Sequence, residues 1–455
     1  MADKGATPAW SSRGAFLLAT IGGAVGLGNL WRFPYVAGDN GGGGFVLIYL
    51  AFVFLLGLPV IAGEMLLGRR GHGSAIRSMA ELLREHQAPG AWRAIGWLSI
   101  VVPLVGLSYY AVVAAWVLDY LGLATAGFFE GLDAGASQET FGRRADRPVY
   151  QAFLHAVFMA LTAWAIAGGI NRGIERLSKI LMPALYAMIL LLVGFGAVAG
   201  DFAAAAEFLF KPDFSEITGR SVLIALGQAL FSLAIGAGVL ITYSAYMPRE
   251  YSIRTSAMAV CFGDTLAALL AGLAIFPIVF SSGLDPAEGP GLVFVTLPIA
   301  FGAMPGGHVI GVLFFVLMLF AAYTTALGML EPVVALLLER LPGGRRRLAG
   351  AAGLAIWLLG LGSVLSFSTL ADFHPLGFLG VERNFFGIAD FAVANVLLPL
   401  NALLIALFAG WVLHPAVIAE EFAGDSAAWR RYWRFANRYV APVAIGVVLI
   451  DLLRG

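Results

Sequence analysis

The chain has 455 residues, 60% of them hydrophobic and 12% charged, with a mean hydropathy of +0.86. Soluble domains average about 45–50% apolar and about 25% charged residues, so this composition excludes an ordinary soluble core and calls for helices solvated by lipid. The formal net charge is zero, which gives nucleic acid no electrostatic handle, and the single cysteine, Cys261, forms no internal disulfide.

Windows of roughly 20 residues predict about eleven membrane spans. They lie near 14–37, 43–68, 94–122, 148–169, 178–199, 217–245, 255–281, 308–338, 348–368, 386–412 and 436–453. Runs this long are helices, because barrel strands would alternate. The short polar N-terminus carries no expected cleavable signal. With the N-terminus inside, only Arg32, Arg143, Arg144, Arg147, Lys211, Arg220, Arg383 and Arg454 fall outside, and the other 20 of the 28 Lys and Arg fall inside. That asymmetry predicts a multi-pass protein of a bacterial inner membrane, with the N-terminus cytoplasmic and the C-terminus outside. Segment 123–147 reads as an outer loop. Segment 282–307 reads as a second one, apolar enough to fold back as a lid.

Span 1 contains Thr20–Gly28, TIGGAVGLG, with glycines at 22, 23, 26 and 28. Each glycine costs about 1 kcal/mol in a helix interior relative to alanine. Four in seven residues predict unwinding at mid-membrane, with close glycine packing as the alternative. Span 6 carries a second interruption, SLAIGAG, at Ser232–Gly238. Unwound backbone at that depth needs a cavity or buried protein around it. Breaks in spans 1 and 6 open two five-helix halves, the arrangement of inverted-repeat transporters with the ligand between the breaks. The halves are expected at 14–199 and 217–412, followed by a last helix at 436–453.

Polar residues inside the spans sharpen this. Asn29 follows the first break. Glu64, Asp264, Glu331 and Asp390 are acids in spans 2, 7, 8 and 10. Each costs about 2.5–3.5 kcal/mol at a helix centre unless partnered by break N–H groups, a cation or an arginine. Thr324 and Thr325 in span 8 are adjacent hydroxyls, whose plain alternative is back-bonding to the preceding turn. His155 stands alone and reads as packing. No nucleophile–base set recurs, so no enzyme is expected.

The stretch GGAVGLGNLWRFPYVAGDNGGGG resembles the signature of the neurotransmitter:sodium symporter family, whose bacterial members include LeuT-type amino-acid transporters. GLPVIAGEMLLGR, NRGIERLSKILMPAL, GQALFSLAIGAGVLITYSAY and FAAYTTALGMLEP extend the resemblance over nearly the whole chain. It implies an all-α integral membrane fold of LeuT type, with a 5+5 inverted repeat and sodium-coupled symport of an amino acid. A first sodium ion would be held by the Ala24 carbonyl, Asn29, Ser232, Asp264 and the substrate carboxylate. A second would sit between the Gly22, Val25 and Ala321 carbonyls, Thr324 and Thr325. All are oxygen donors, suited to a hard monovalent cation that must also leave.

The resemblance places the substrate carboxylate against Tyr110 and the freed N–H groups near Leu27 and Gly28, at the positive end of a half-helix dipole. Phe231 would close as an aromatic lid. Arg32 and Asp390 would form the outer gate, and Glu339, Trp10 and Tyr246 the inner one. The family's inner-gate arginine aligns with Thr7, so the expected partner of Glu339 is open, with Lys4 as a substitute. Gly23, Gly106 and Ala237 replace larger residues of the leucine-selective member. With Ala234 and Met329 they imply a roomier apolar cavity, for a hydrophobic or aromatic amino acid. Gly26 stands where monoamine-transporting relatives carry aspartate, which favours alpha-amino acids. Asp264 falls on the sodium-ligating asparagine of the family and Ala268 on its chloride serine, which implies transport without chloride. An ion channel, a non-transporting amino-acid sensor and a symporter of small amino acids or other zwitterions are the alternatives.

Overall fold

The computed structural model describes residues 9–284 and 291–454. Among the described residues, eight helices are long and apolar enough to cross a membrane: Gly43–Gly71, Gly90–Thr125, Pro148–Ala167, Ile170–Ala199, Ile253–Ser281, Gly307–Arg340, Arg345–Leu365 and Phe385–Val412. They stand at the places of spans 2, 3, 4, 5, 7, 8, 9 and 10. Span 1 is the pair Arg13–Ala24 and Gly28–Asp39, bent by 53° at the break. Span 6 is likewise two pieces, Gly219–Ser232 and Val239–Ser244.

Two elements begin earlier than hydropathy places them. Span 5 starts at Ile170, eight residues ahead of the predicted 178. The helical run of span 11 starts at Ala427 and continues to Arg454. Its first turns, AAWRRYWRF, bury Trp429 and Trp433, expose Arg431 and leave Arg430 and Arg434 half-buried. Such an amphipathic start has too little mean hydropathy for an apolar window to detect.

Part of the outer loop 282–307 folds back as helix Leu292–Ala303, as the lid reading expects. Residues 285–290 of that loop lie outside the described residues. Phe294 of the lid meets the rings of Trp31, Trp116, Tyr120 and Phe141 edge-on or stacked, at centroid distances of 5.1–5.9 Å. Aromatic pairs of this geometry add to their apolar burial, and they seat the lid on the outer ends of spans 1 and 3.

The breaks are held by side chains from other spans. Gly236 has φ +89° and Gly238 φ +75°, conformations that disfavour any side chain. Ala234 adopts φ +49° without being glycine, a left-handed conformation costing about 1–2 kcal/mol. The fully buried Glu64 of span 2 accepts the Gly236 N–H at 2.6 Å. Asn401 of span 10 donates to the Gly236 carbonyl at 2.7 Å and to Ser99 Oγ at 3.0 Å. Both backbone polar groups of one unwound residue are thereby satisfied in the apolar interior, as buried backbone requires.

Candidate functional site

Spans 1, 6 and 7 converge at the two breaks. The first piece of span 1 ends at Ala24. Val25 and Gly26 form the bend, and helix resumes with a wide turn over Gly28–Arg32. Asn29 sits in that turn, fully buried. Its amide donates to Ser232 Oγ at 2.9 Å, Asp264 Oδ1 at 2.8 Å and the Asp264 carbonyl at 3.0 Å. Ser232, the last helical residue before the second break, donates to Asp264 Oδ2 at 2.6 Å. The Asn29 side-chain oxygen Oδ1 accepts the Gly26 N–H at 3.0 Å. Asn29, Ser232 and Asp264, named from sequence as one set, are therefore in direct contact, with Ala24 at the adjoining helix end.

Tyr49 of span 2 belongs to the same cluster. Its hydroxyl lies 3.3 Å from Ser232 Oγ and 3.5 Å from Asp264 Oδ2. Sequence reasoning missed it, because a tyrosine within an apolar run looks like core; the hydroxyl in an otherwise polar-free segment was the available signal. Gln228 was also missed; it donates to the Gly28 carbonyl at 3.1 Å, tying the second piece of span 1 to span 6.

Asp264 is fully buried. The side chains that hydrogen-bond to its carboxylate, Asn29, Ser232 and Tyr49, are all neutral. The cluster can thus stabilise a carboxylate geometrically without balancing its charge, which inside a protein calls for a counter-charge.

A second group of oxygens lies across the bend. Thr325 Oγ1 donates to the Val25 carbonyl at 3.1 Å and approaches the Gly22 carbonyl at 3.5 Å. Thr324 bonds back to its own helix, to the Phe320 carbonyl at 3.0 Å and the Ala321 carbonyl at 3.1 Å. Its Cβ faces Gly22, 3.2 Å from where a β-carbon there would stand. Of the expected second set, Thr325 meets the Gly22 and Val25 carbonyls, while Thr324 makes the back-bond that hydroxyls make in apolar helices.

Between the two groups, the Leu27 N–H points to the Tyr110 hydroxyl at 3.4 Å. A β-carbon on Gly26 would stand 2.5 Å from Thr325 Oγ1 and 3.1 Å from the Tyr110 hydroxyl. Glycine is required there for span 8 and span 3 to reach the bend. Phe231 packs on Gly28, whose absent β-carbon leaves room for its ring at 3.1 Å.

Of the residues expected to enlarge the pocket, Ala237 is buried beside Ala234, to whose carbonyl its N–H donates at 3.2 Å. The space at Gly106 is largely taken by the Met329 methyl, 2.6 Å from a β-carbon position there. At Gly23, Val239 stands 3.1 Å from the corresponding point. Neighbours fill the vacated volume, so the glycines do not translate directly into a larger cavity.

The gates depart from expectation in their partners. Arg32 lies over the Phe231 ring, 4.3 Å from its centroid, a cation–π contact. Asp390 lies near Arg32 and Tyr109. Among the described residues no direct ion pair joins Arg32 to Asp390. On the inner side, Trp10 donates to the Tyr243 carbonyl at 2.9 Å and packs edge-on against Phe16 and Tyr243. Glu339 is held by Ser74, through the backbone N–H at 2.7 Å and the hydroxyl at 2.5 Å. Tyr246 lies within electrostatic reach of both Glu331 and Glu339. Glu331 itself pairs with Arg345, which also donates to the Ile166 carbonyl at 2.8 Å. Lys4 and Thr7 lie outside the described residues.

The model of the sodium:neurotransmitter symporter family matches residues 7–128 and 151–451. The chain is 38% identical over 447 residues to the sodium-dependent transporter YhdH of Bacillus subtilis, covering 98% of this chain and 97% of that one. It is 30% identical over 452 residues to a sodium-dependent transporter of Haemophilus influenzae, covering 98% of both. Among solved structures, MhsT in complex with L-phenylalanine superposes with a TM-score of 0.89 at 37% identity, over 98% of this chain and 100% of that one. Matches of this length and extent establish that the chain belongs to the sodium:neurotransmitter symporter family and has the LeuT-type all-helical membrane fold.

Proposed function

We propose that the protein is a symporter that moves one neutral, hydrophobic or aromatic amino acid with two sodium ions by alternating access. The buried Asp264 carboxylate, hydrogen-bonded only to neutral side chains at the meeting point of both helix breaks, carries this reading. A monovalent cation there balances the charge, and rotation of the Asn29 amide adds its Oδ1 to the oxygens of Ser232, Asp264 and Ala24. The second ion lies among the Gly22, Val25 and Ala321 carbonyls and the Thr324 and Thr325 hydroxyls. The substrate carboxylate completes the first ion's shell and meets Tyr110 and the free N–H groups of the bend, so neither ligand binds well without the other.

Gly26 supports a carboxylate-bearing substrate, since it supplies no counter-ion for a free amine. The relative solved with L-phenylalanine supports an apolar side chain. Met329 supplies the means of adjustment: an unbranched thioether occupies the space at Gly106 and repacks easily. We further propose that 14–199 and 217–412 are the two halves of an inverted repeat, with 436–453 outside it, and that the N-terminus is cytoplasmic in a bacterial inner membrane. The test is uptake of labelled amino acids into proteoliposomes under an inward sodium gradient, competed by a panel of amino acids. Competition by phenylalanine, tryptophan and leucine supports the reading. Competition by glycine and alanine alone would assign the chain to small substrates instead.

A further inference from the structure

On the side of the molecule that carries most of the basic residues, the ends of spans 4, 5 and 9 leave a groove facing outward from the bundle. Its apolar part, about 490 Å³, runs between spans 4 and 9 along Ala156, Ala160, Ala163, Gly350 and Gly353. Span 9 comes close to span 4 at Gly353, where a β-carbon would stand 3.0 Å from that of Ala163. The small residues leave a furrow, walled by Trp164 and Trp357. A second recess of about 850 Å³ shares Trp164, Ala167 and Arg346 with the first and adds Arg172 and Arg176. The groove is thus continuous, apolar toward the membrane centre and basic at its mouth.

Several other arginines on this side are already paired. Arg69, Arg70, Arg249 and Arg254 are each paired with Glu420, Glu421 or Asp425. The neighbouring Arg345 is committed to Glu331. Arg172, Arg176 and Arg346 are exposed and have no acidic partner among the described residues. Trp164 is 70% exposed, as suits an indole at the level of lipid headgroups.

We propose that this groove is a specific site for an anionic phospholipid, with the phosphate among Arg172, Arg176 and Arg346 and one acyl chain along the furrow between spans 4 and 9. Basic recesses between spans on the cytoplasmic side suit anionic headgroups, and arginine forks match phosphate oxygens better than ammonium groups do. A furrow of small residues adds an apolar contact that free phosphate could not use. Span 5 starts at this mouth, and its predecessor span 4 is tied to the Glu331–Arg345 pair through the Ile166 carbonyl. An occupied groove would therefore brace the inner ends of spans 4, 5, 8 and 9. The site is separate from the sodium cluster, and its test does not depend on transport.

The purified full chain, titrated with dioleoylphosphatidylglycerol or dioleoylphosphatidylcholine, is examined by native mass spectrometry. One phosphatidylglycerol per chain is expected to remain bound at concentrations where phosphatidylcholine does not. The combined variant Arg172→Gln, Arg176→Gln, Arg346→Gln should weaken that retention on the order of a hundredfold, the sum of three basic contacts. Ala160→Trp, which fills the furrow and leaves every arginine in place, should also release the lipid. Sodium-dependent substrate binding by both variants verifies that they are folded. Equal retention of the two lipids, unchanged retention in the arginine variant, or displacement by excess inorganic phosphate would overturn the proposal. So would a lipid-free dimer of the wild type that the Ala160→Trp change dissociates, since the groove would then belong to a second copy.

Discussion

Asn29 and Asp264, 235 positions apart in sequence, meet with the Asn29 amide nitrogen 2.8 Å from Asp264 Oδ1, both side chains fully buried. The contact joins the resumed helix of span 1 to span 7. Ala268, one helical turn beyond Asp264, is also fully buried and has no hydroxyl to donate to an anion. Under the proposed function, a fixed carboxylate at 264 would take the place of a mobile anion beside the first sodium. Replacing chloride by gluconate should leave wild-type uptake unchanged. Asp264→Asn should weaken sodium binding by tenfold or more, on the order of one charge-assisted interaction. Adding Ala268→Ser to it should restore uptake only in chloride buffer. Wild-type uptake that fails without chloride would remove the internal-anion role of Asp264.

Arg32 is stacked on Phe231 while Asp390 lies close by without a direct ion pair. A bidentate pair here would be too strong for a gate that must open in each cycle. As the proposed outer gate, the pair would couple a charge to the aromatic ring over the site. Phe231→Leu should raise outward accessibility of a cysteine placed in the outer vestibule, and Asp390→Asn should slow uptake severalfold. Unchanged accessibility and uptake in both variants would detach these residues from gating.

Glu339 is gripped by Ser74 at the start of helix Ala75–Glu85, whose N-terminal cap the same serine forms by accepting from the Arg77 N–H. Hydrogen bonds to a charged group contribute about 1.5–3 kcal/mol. Ser74→Ala should shift the resting protein toward cytoplasmic opening, read as faster labelling of a cysteine in the inner vestibule. The Glu339→Gln variant should do the same, and the double variant should add little. Full additivity of the two effects would mean that the residues act independently.

Met329 stands in the space that Gly106 leaves. Met329→Ala should favour larger side chains, with tryptophan competing relatively better than leucine. Gly106→Ala should force Met329 aside and reduce competition by all large substrates, by about tenfold for a side chain losing its fit. If Gly106→Ala leaves the order of competition intact, the pocket is bounded elsewhere.

The breaks in spans 1 and 6 were legible in the sequence, because clustered glycines conflict with a helix that lipid otherwise enforces. The intramembrane acids were legible too, as groups that need partners. Which partner each takes was not. Glu64 takes the Gly236 N–H and Glu331 takes Arg345, choices fixed by how spans 2, 6, 8 and 9 pack rather than by spacing along the chain. Ser74 was hidden for the same reason: a serine before a helix reads as a cap, and its second role appears only when span 8 reaches it. Asn401 left a signal, a lone amide in the apolar run LPLNALL, that points to a buried backbone partner. The start of span 11 was obscured because its arginines lower the hydropathy of turns that are nevertheless helical.

The central claim, that two sodium ions and one substrate bind interdependently, is tested most directly by initial uptake rates in proteoliposomes as a function of external sodium at clamped membrane potential. Two interdependent sodium sites give a wild-type Hill coefficient of about two. A value near one with reduced uptake is expected for Thr325→Ala, and near-complete loss for Asn29→Ala. Wild-type uptake that is independent of sodium, or Asn29→Ala and Thr325→Ala variants with unchanged rates and unchanged sodium dependence, would contradict it.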